Sequence, residues 1–222
     1  MLMEGIIFDF NGTMFFDSDK HEKAWTIFIE NLIGKKPTSF ELKKYMHGRN
    51  TNSTISYFLD RELTEKEKRE MPEKKEKIYR DLCLKDLENF KLAPGLIELL
   101  DYLKNENYPI NIATASNIVN LKFYFKHFHL DNWFDFNKVV YDDGTVPGKP
   151  DPTLFIRACQ NINLDPKDCI IVEDALSGLE AAHRAKAGKI IALGKTLDKN
   201  TLKNIPYIDD VIYDYYDFKK YL

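Results

Sequence analysis

Residues 6–13 read IIFDFNGT, an apolar run that ends in an aspartate and continues into Asn-Gly-Thr. A short run of Ile and Phe that is bounded by turn residues is typical of a buried β-strand. In open parallel sheets, ligands bind beyond the carboxyl ends of the strands, where loops and helix N-termini converge. The stretch therefore predicts a first strand that presents Asp9 to a site, with the amide side chain of Asn11 two residues later.

The bulk composition is that of a globular chain. Its 222 residues are 44% hydrophobic and 30% charged, with a formal net charge of −3. The slight acidic excess gives no electrostatic case for nucleic-acid binding, and the first apolar run is too short for a signal peptide or a membrane span. Cys83, Cys159 and Cys169 show no CxxC spacing, which favours buried thiols in a reducing compartment. We expect a soluble cytoplasmic protein that binds neither nucleic acid nor a membrane.

The hydrophobic pattern divides the chain in two. Residues 15–91 read as successive amphipathic helices, and the most charged of them is expected to be interrupted by Pro72. From residue 92 onward, short apolar strands alternate with helices, which is typical of right-handed βαβ crossovers and a parallel sheet. The sequence predicts an α/β fold with a doubly wound parallel-sheet core, residues 1–14 and 92–222, and an inserted helical cap, residues 15–91.

Polar residues stand at the carboxyl ends of four predicted strands. They are Asp9, then Thr114 with Ser116, then Lys149, and finally Glu173 with Asp174. Carboxylates that are crowded together repel one another unless a cation lies among them. Hard oxygen ligands favour Mg²⁺, whose coordination is often completed by water and phosphate oxygens. The pattern therefore predicts a Mg²⁺ site at this edge of the sheet.

Four motifs, in this order, resemble the signature motifs of the haloacid dehalogenase (HAD) superfamily. They are DFNGT at 9–13, the strand that ends in Thr114, GKPDP at 148–152, and VEDALSG at 172–178. The helical insertion, with HEKAW at 21–25, resembles the β-phosphoglucomutase-like branch. The resemblance runs from residue 4 to about residue 195. It implies a Mg²⁺-dependent phosphoryl-transfer enzyme for a small phosphorylated metabolite, and we expect a monomer or weak dimer.

The resemblance also implies a role for each carboxylate. Asp9 would be the nucleophile that attacks phosphorus and forms a phosphoaspartate, and its other oxygen would bind Mg²⁺. Asp174 would be a metal ligand, and Glu173 would bind the ion directly or through water. The backbone carbonyl oxygen of residue 11 would complete the protein ligands, a contact that does not depend on the side chain of Asn11.

Further residues would bind the substrate. By resemblance, Thr114 and Lys149 would bind the oxygens of the transferring phosphoryl group. The remaining substrate-binding candidates are His21, Arg49, Ser116 and Asn117. Arg49 could bind a second anionic group, because a guanidinium matches carboxylate and phosphate geometry.

Asn11 departs from the family pattern. Phosphatases and mutases of the family carry an aspartate there, which protonates the leaving group and then deprotonates the attacking hydroxyl or water. An amide cannot exchange a proton in this way near neutral pH. General acid–base catalysis contributes roughly a hundred- to ten-thousand-fold, so we expect a slow phosphohydrolase whose phosphoaspartate can accumulate.

Several interpretations of Asn11 remain open. A cap residue, His21 or else Asp17 or Asp19, could supply the proton transfer. The protein could instead bind phosphate esters with little turnover, or deamidation of the Asn-Gly pair could create an aspartate. Phosphonatases and dehalogenases also lack the second aspartate, but residues 46–54 offer no lysine for a Schiff base, and nothing in the sequence suggests a dehalogenase pocket.

Two further classes fit the sequence less well. A sugar phosphomutase needs residue 11 to move protons between two sugar hydroxyls, so Asn11 impairs it more than it impairs hydrolysis. A two-component receiver domain shares a phosphorylatable aspartate and a parallel sheet, but its aspartate precedes neither a helical insertion nor a GKPDP and VED series.

Overall fold

The structure, a computed structural model, describes residues 4–45, 51–195, 197 and 199–222. Arg49, one of the predicted substrate-binding residues, lies outside these ranges. The chain forms two compact units. One consists of Met1–Phe16 and Lys91–Leu222, and the other of Asp17–Phe90.

A parallel sheet forms the centre of the first unit. Its strands are β1 (Gly5–Phe8), β2 (Ile110–Asn117), β3 (Val140–Asp142), β4 (Cys169–Glu173), β5 (Lys189–Leu193) and β6 (Asp210–Ile212). Their order is β3-β2-β1-β4-β5-β6, and every neighbouring pair is parallel. β1 therefore lies between β2 and β4, and all four of its residues are buried.

Some of the helices pack around this sheet, and others make up the second unit. In the described part of the chain they are α1 (Ser18–Ile33), α2 (Ser39–Tyr45), α3 (Thr51–Leu59), α4 (Glu65–Lys85), α5 (Leu96–Asn105), α6 (Ile118–Phe128), α7 (Thr153–Gln160), α8 (Leu176–Arg184) and α9 (Lys199–Lys203). The alternation of strands and helices after residue 92 confirms the predicted α/β fold, with its doubly wound parallel sheet and helical insertion.

The two faces of β1 enter different parts of the core, because successive side chains of a strand point to opposite faces. Ile7 belongs to an apolar cluster with Ile171 of β4, Phe155 of α7 and Leu179 of α8. Phe8 faces aromatic rings instead, and its nearest is Tyr215, at a centroid distance of 6.1 Å. Both faces of the central strand are thus covered, as a parallel sheet requires.

The helical unit has its own apolar core, which includes Trp25, Phe28, Ile29 and Ile55. α4 runs without interruption through Pro72, so the expected break was wrong. A proline removes one backbone donor and bends a helix, but it does not end one whose other turns are held by packing.

Two further expectations concerned the state of the cysteines and the presence of a membrane span. Cys83, Cys159 and Cys169 are free and buried, as the absence of a CxxC spacing predicted. Of the helices in the described ranges, none is both long enough and apolar enough to cross a membrane.

Candidate active site

The register of the sheet brings three predicted segments to one edge. Phe8, the last residue of β1, pairs with Ile112 of β2 and with Val172 of β4. The next residues along these strands include Asp9, Thr114 and Glu173, and all three are buried. Because the strands are parallel, their carboxyl ends meet at the same edge, where α/β sheets bind their ligands.

Three buried carboxylates form a cluster there. One oxygen each of Asp9, Glu173 and Asp174 can be chosen so that all lie within 4.8 Å of one another. These residues are only 6%, 1% and 5% exposed, respectively. Hard carboxylate oxygens that converge in this way are the ligands that Mg²⁺ prefers. The donor set therefore fits this ion.

Lys149 joins two of the carboxylates. Its Nζ donates to Oδ1 of Asp9 at 2.5 Å and to Oε2 of Glu173 at 2.6 Å. Burial disfavours the charged lysine, but the carboxylates of Asp9 and Glu173 outweigh burial and raise the pKa of Lys149. The ammonium group therefore stays charged, and as a compact point charge it suits phosphoryl oxygens.

One lysine does not balance three carboxylates. Burial, and next the neighbouring Glu173 carboxylate, raise the pKa of Asp9 well above its usual value, although Lys149 lowers it. A divalent cation among the carboxylates would reverse this effect, because a nearby positive charge favours the ionised form. The electrostatics of the cluster therefore favour a bound cation.

Two glycines make room for the carboxylates. Gly12 has a φ of +79°, and a Cβ there would lie 2.2 Å from Oδ2 of Asp174. At Gly178 in α8, a Cβ would lie 2.0 Å from Cδ and Oε2 of Glu173. Both distances are far below van der Waals contact, so neither position accepts a side chain without displacing a carboxylate. A glycine in the first turn of a helix is a signal of close approach, and Gly178 is the residue at which this signal could have been read from the sequence.

Hydrogen bonds hold Glu173 in this place. Its Oε1 accepts from the backbone N–H groups of Asp174 and Ala175, at 3.1 Å and 3.0 Å. With Lys149 on Oε2, both carboxylate oxygens have charged or backbone donors. The geometry of Glu173 is therefore set by the start of α8 as much as by β4.

Asp174 is held from the other side. Its Oδ1 accepts from Oγ1 of Thr13 at 3.2 Å, and the Thr13 carbonyl accepts from the hydroxyl of Tyr215 at 3.2 Å. Burial, and then the charges of Asp9, Asp174 and Glu173, raise the pKa of Tyr215 well above its usual value. Nothing in the sequence pointed to this tyrosine, which is 202 positions from Thr13.

Residues 3–186 match the family model of haloacid dehalogenase-like hydrolases. The chain belongs to this family. The match covers most of the chain and confirms the resemblance that the motifs indicated.

Individual HAD-like proteins are similar over most of their length. A β-phosphoglucomutase of Bacillus subtilis is 29% identical over 82% of this chain and 80% of its own. A fructose-1-phosphate phosphatase of Escherichia coli is 24% identical over 82% of this chain and 92% of its own. The crystal structure of a family IA, variant 3 HAD hydrolase of Entamoeba histolytica has 31% identity, covers 96% of this chain and 94% of that one, and gives a TM-score of 0.90.

Asn11, the departure from the HAD pattern, has well-defined partners. Its Oδ1 accepts from Oγ of Ser116 at 2.7 Å, and its Nδ2 donates to the hydroxyl of Tyr124 at 2.9 Å. The structure therefore brings together two of the predicted residues, Asn11 and Ser116. Tyr124 was missed, because a tyrosine inside an apolar helix pattern reads as a core residue.

The two other residues at the end of β2 make local hydrogen bonds. Oγ1 of Thr114 accepts from the backbone N–H of Ser116 at 3.1 Å. The side chain of Asn117 caps α6 by accepting from the N–H of Asn120 at 2.9 Å. The substrate-binding role of Asn117 stays a prediction, and its cap is sufficient reason for an asparagine at this position.

His21 lies in a polar cluster of the helical unit. Its Nε2 is 3.3 Å from Oδ2 of Asp17, its Nδ1 is 2.9 Å from Nζ of Lys75, and its ring stacks on Tyr79. The hydroxyl of Tyr79 donates to the same Asp17 oxygen. Since an ammonium group only donates, Nδ1 accepts and the ring hydrogen lies on Nε2, toward Asp17. Both ring nitrogens are thus engaged within the unit, which weighs against His21 as the missing proton carrier.

Proposed function

We propose that this HAD-like protein is a Mg²⁺-dependent phosphohydrolase that hydrolyses a phosphate monoester of a small metabolite, such as a phosphorylated sugar, through a phosphoaspartate on Asp9. The observation that carries the proposal is the cluster of Asp9, Glu173 and Asp174 with Lys149 at the carboxyl ends of β1 and β4. The names of the similar proteins, a sugar phosphomutase and a sugar phosphatase, support a phosphorylated sugar as the substrate class.

In the proposed first step, a carboxylate oxygen of Asp9 attacks phosphorus, and the bond from phosphorus to the ester oxygen breaks. Lys149 would neutralise charge on the phosphoryl oxygens, and Thr114 would donate a hydrogen bond to one of them. Held by Asp9, Glu173, Asp174 and the backbone carbonyl of Asn11, Mg²⁺ would supply the positive charge that lets an anionic carboxylate approach an anionic phosphate.

In the second step, water attacks the phosphorus of the phosphoaspartate. The bond from phosphorus to the Asp9 oxygen breaks, inorganic phosphate leaves, and the carboxylate is restored. Splitting the displacement in this way avoids a direct attack by water on the ester. It also predicts a covalent intermediate whose lifetime depends on how well the water is deprotonated.

Asn11 determines which esters react fastest. Its carboxamide can donate a hydrogen bond to the departing oxygen but cannot give up a proton. Leaving groups that need no proton, such as those of aryl and acyl phosphates, should therefore be preferred over alkyl phosphates. The same absence of a base at position 11 should slow the second step, so that the phosphoaspartate accumulates.

We assign substrate selection to the helical unit, with His21 and Arg49 as its candidate contacts, and the chemistry to the α/β unit. Ser116 and Asn117 are the candidate contacts from the end of β2. The free, buried thiols of the chain fit a reducing, cytoplasmic location. A monomer or weak dimer suffices for this reaction, because all the proposed catalytic groups belong to one chain.

A sugar phosphomutase is the second candidate, and the similarity to the B. subtilis β-phosphoglucomutase favours it. The two reactions differ in their products. A phosphatase releases inorganic phosphate in proportion to the substrate consumed, whereas a mutase converts one sugar phosphate into its isomer with little free phosphate.

The test measures phosphate release from p-nitrophenyl phosphate, acetyl phosphate and a panel of sugar phosphates, with and without Mg²⁺. Intact-protein mass spectrometry follows the phosphoenzyme in the same reactions. We expect Mg²⁺-dependent release that Asp9→Asn abolishes, and that Asp131→Asn, at an exposed aspartate of the same unit, leaves unchanged.

Other outcomes would point elsewhere. Saturable binding of esters without product or phosphoenzyme would make the protein a phosphate-ester-binding member of the family. Phosphate release that persists in Asp9→Asn would refute Asp9 as the nucleophile. Isomerisation of a sugar phosphate without phosphate release would favour the mutase.

A further inference from the structure

The carboxamide of Asn11 is contacted by hydroxyl groups at both of its ends. Ser116 contacts the oxygen at 2.7 Å, and Tyr124 contacts the nitrogen at 2.9 Å. These residues come from different elements, since Ser116 belongs to β2 and Tyr124 to α6. Neither contact follows from the local conformation of the loop that carries Asn11.

Packing fixes the Tyr124 hydroxyl. Tyr124 is fully buried, and its ring stacks on that of Phe10 with a centroid distance of 4.3 Å and an interplanar angle of 21°. Phe10 also contacts Phe128, at 6.0 Å between the centroids. A side chain that is held by rings on its apolar part presents its polar tip at a constant place. The hydroxyl is therefore a preformed partner for whatever side chain stands at position 11.

The two hydroxyls hold the carboxamide of Asn11 at both of its ends. The carboxamide oxygen only accepts and its nitrogen only donates, so in this arrangement Ser116 donates and Tyr124 accepts. Turning the carboxamide by 180° about its last bond would oppose two acceptors at one end, unless both hydroxyl hydrogens turned as well. A carboxylate at this position would need Tyr124 to donate. The two hydrogen bonds thus restrain the rotation of the carboxamide about its last bond.

We propose that Ser116 and Tyr124 are positioning residues that hold the carboxamide of Asn11, two residues after Asp9, in one orientation, so that it acts as a hydrogen-bonding group in phosphoryl transfer. The catalytic part of this proposal rests on the proposed function. Asn11 is then an oriented polar group with its own supporting contacts. Tyr124 contributes to phosphoryl transfer by positioning Asn11, although it is buried in the core.

The orientation itself is tested without turnover. In protein labelled with ¹⁵N-asparagine, the side-chain amide signals of Asn11 are identified by their loss in Asn11→Ala. We expect Tyr124→Phe to shift this pair of signals and to speed its exchange with solvent several-fold, because the acceptor is gone. Ser116→Ala should shift the same pair through the lost donor. Tyr207→Phe, which removes a hydroxyl bound to Glu180 in the same unit, should leave it unchanged.

The catalytic part is tested by a double-mutant cycle on phosphate release. A hydrogen bond between neutral groups is worth about 0.5–1.5 kcal/mol, or roughly two- to tenfold, so Tyr124→Phe and Ser116→Ala should each lower kcat by about that factor. For Tyr124→Phe, KM should change less than kcat, because the buried Tyr124 is not among the proposed substrate contacts. In the Asn11→Ala background neither substitution should lower kcat further, since the group that they position is absent.

The outcomes separate the two proposals. Amide signals that respond to neither Tyr124→Phe nor Ser116→Ala would overturn the positioning role, and so would effects on kcat that are just as large in the Asn11→Ala background. If Tyr124→Phe does not fold, the partly exposed Ser116 still provides the test. If the amide signals respond to these substitutions but the protein turns over no substrate, the orientation of Asn11 is established and the proposed function is contradicted.

Discussion

Gly178→Ala is predicted to destabilise the protein, although the same change in most helices stabilises them. Replacing a helical glycine by alanine is ordinarily favourable by about 0.5–1 kcal/mol. At this position the new Cβ would lie 2.0 Å from Cδ and Oε2 of Glu173. Two opposing effects therefore act on the free energy of unfolding, and their magnitudes decide the sign.

The displacement of Glu173 is the larger effect. To escape the methyl group, its carboxylate has to leave the backbone N–H groups of Asp174 and Ala175 or the ammonium of Lys149. Hydrogen bonds to charged groups are worth about 1.5–3 kcal/mol, and overpacking a tight site costs about 1–3 kcal/mol more. Against a gain of at most about 1 kcal/mol, we expect a net loss of about 2–4 kcal/mol, which is roughly 4–15 °C in Tm for a chain of this size.

Urea denaturation and thermal melting measure this change. Ser177→Ala, one residue earlier in α8, is the matched control, because it also places an alanine in the first turn but adds no atom, since serine already carries a Cβ; we expect it to stay within about 0.5 kcal/mol of the native protein. If Gly178→Ala proves as stable as the native protein or more so, the close approach of Gly178 to Glu173 does not exist in solution, and the geometry argued for the site is wrong.

Three further predictions concern the same site and the core. In the absence of metal, Lys149→Met should lower the free energy of unfolding by about 3–5 kcal/mol, because it leaves buried carboxylates without their cation. Melting curves should show that Mg²⁺ restores part of this loss, and an equal loss with and without the ion would contradict the metal site. In single-turnover experiments, Asn11→Asp should speed formation of the phosphoenzyme from an alkyl phosphate by roughly tenfold or more, and from acetyl phosphate by less, because only the first leaving group needs a proton; an equal gain in this step for both would show that leaving-group protonation is not what the amide lacks. Burial raises the pKa of the Cys83 thiol to about 12, so at pH 8 this buried thiol should react with iodoacetamide only after unfolding in urea, and rapid alkylation of the native protein would refute its burial.

Much of the core could be predicted from the residues themselves. The run that ends at Asp9 reads as a central strand because it is apolar throughout, and a strand buried on both faces shows that pattern. Glu173 could be placed near Asp9 because both follow apolar runs of a parallel sheet, whose strand ends share one edge. Pro72 was misjudged, because a propensity that breaks an isolated helix is overridden when neighbouring helices hold the surrounding turns.

The supporting contacts could not be read from the sequence in the same way. Tyr124 and Tyr215 lie far along the chain from the loop after β1, and each reads as an ordinary core aromatic. Their hydroxyls reach Asn11 and the carbonyl of Thr13 only because helix and tail pack where they do. Gly178 has a role only because Glu173 turns toward it.

By itself, the sequence determined the parallel α/β core, the strand ends that carry Asp9 and Glu173, and membership of the HAD-like hydrolases. These follow from local patterns, since hydrophobic periodicity and turn residues act over a few positions of the chain. Only the tertiary structure decided which hydroxyls contact Asn11, how Lys149 bridges Asp9 and Glu173, and which glycines give the carboxylates room. Such contacts form or fail with shifts of a few tenths of an ångström, most of them between segments that are remote in sequence, and packing of the whole unit sets those distances.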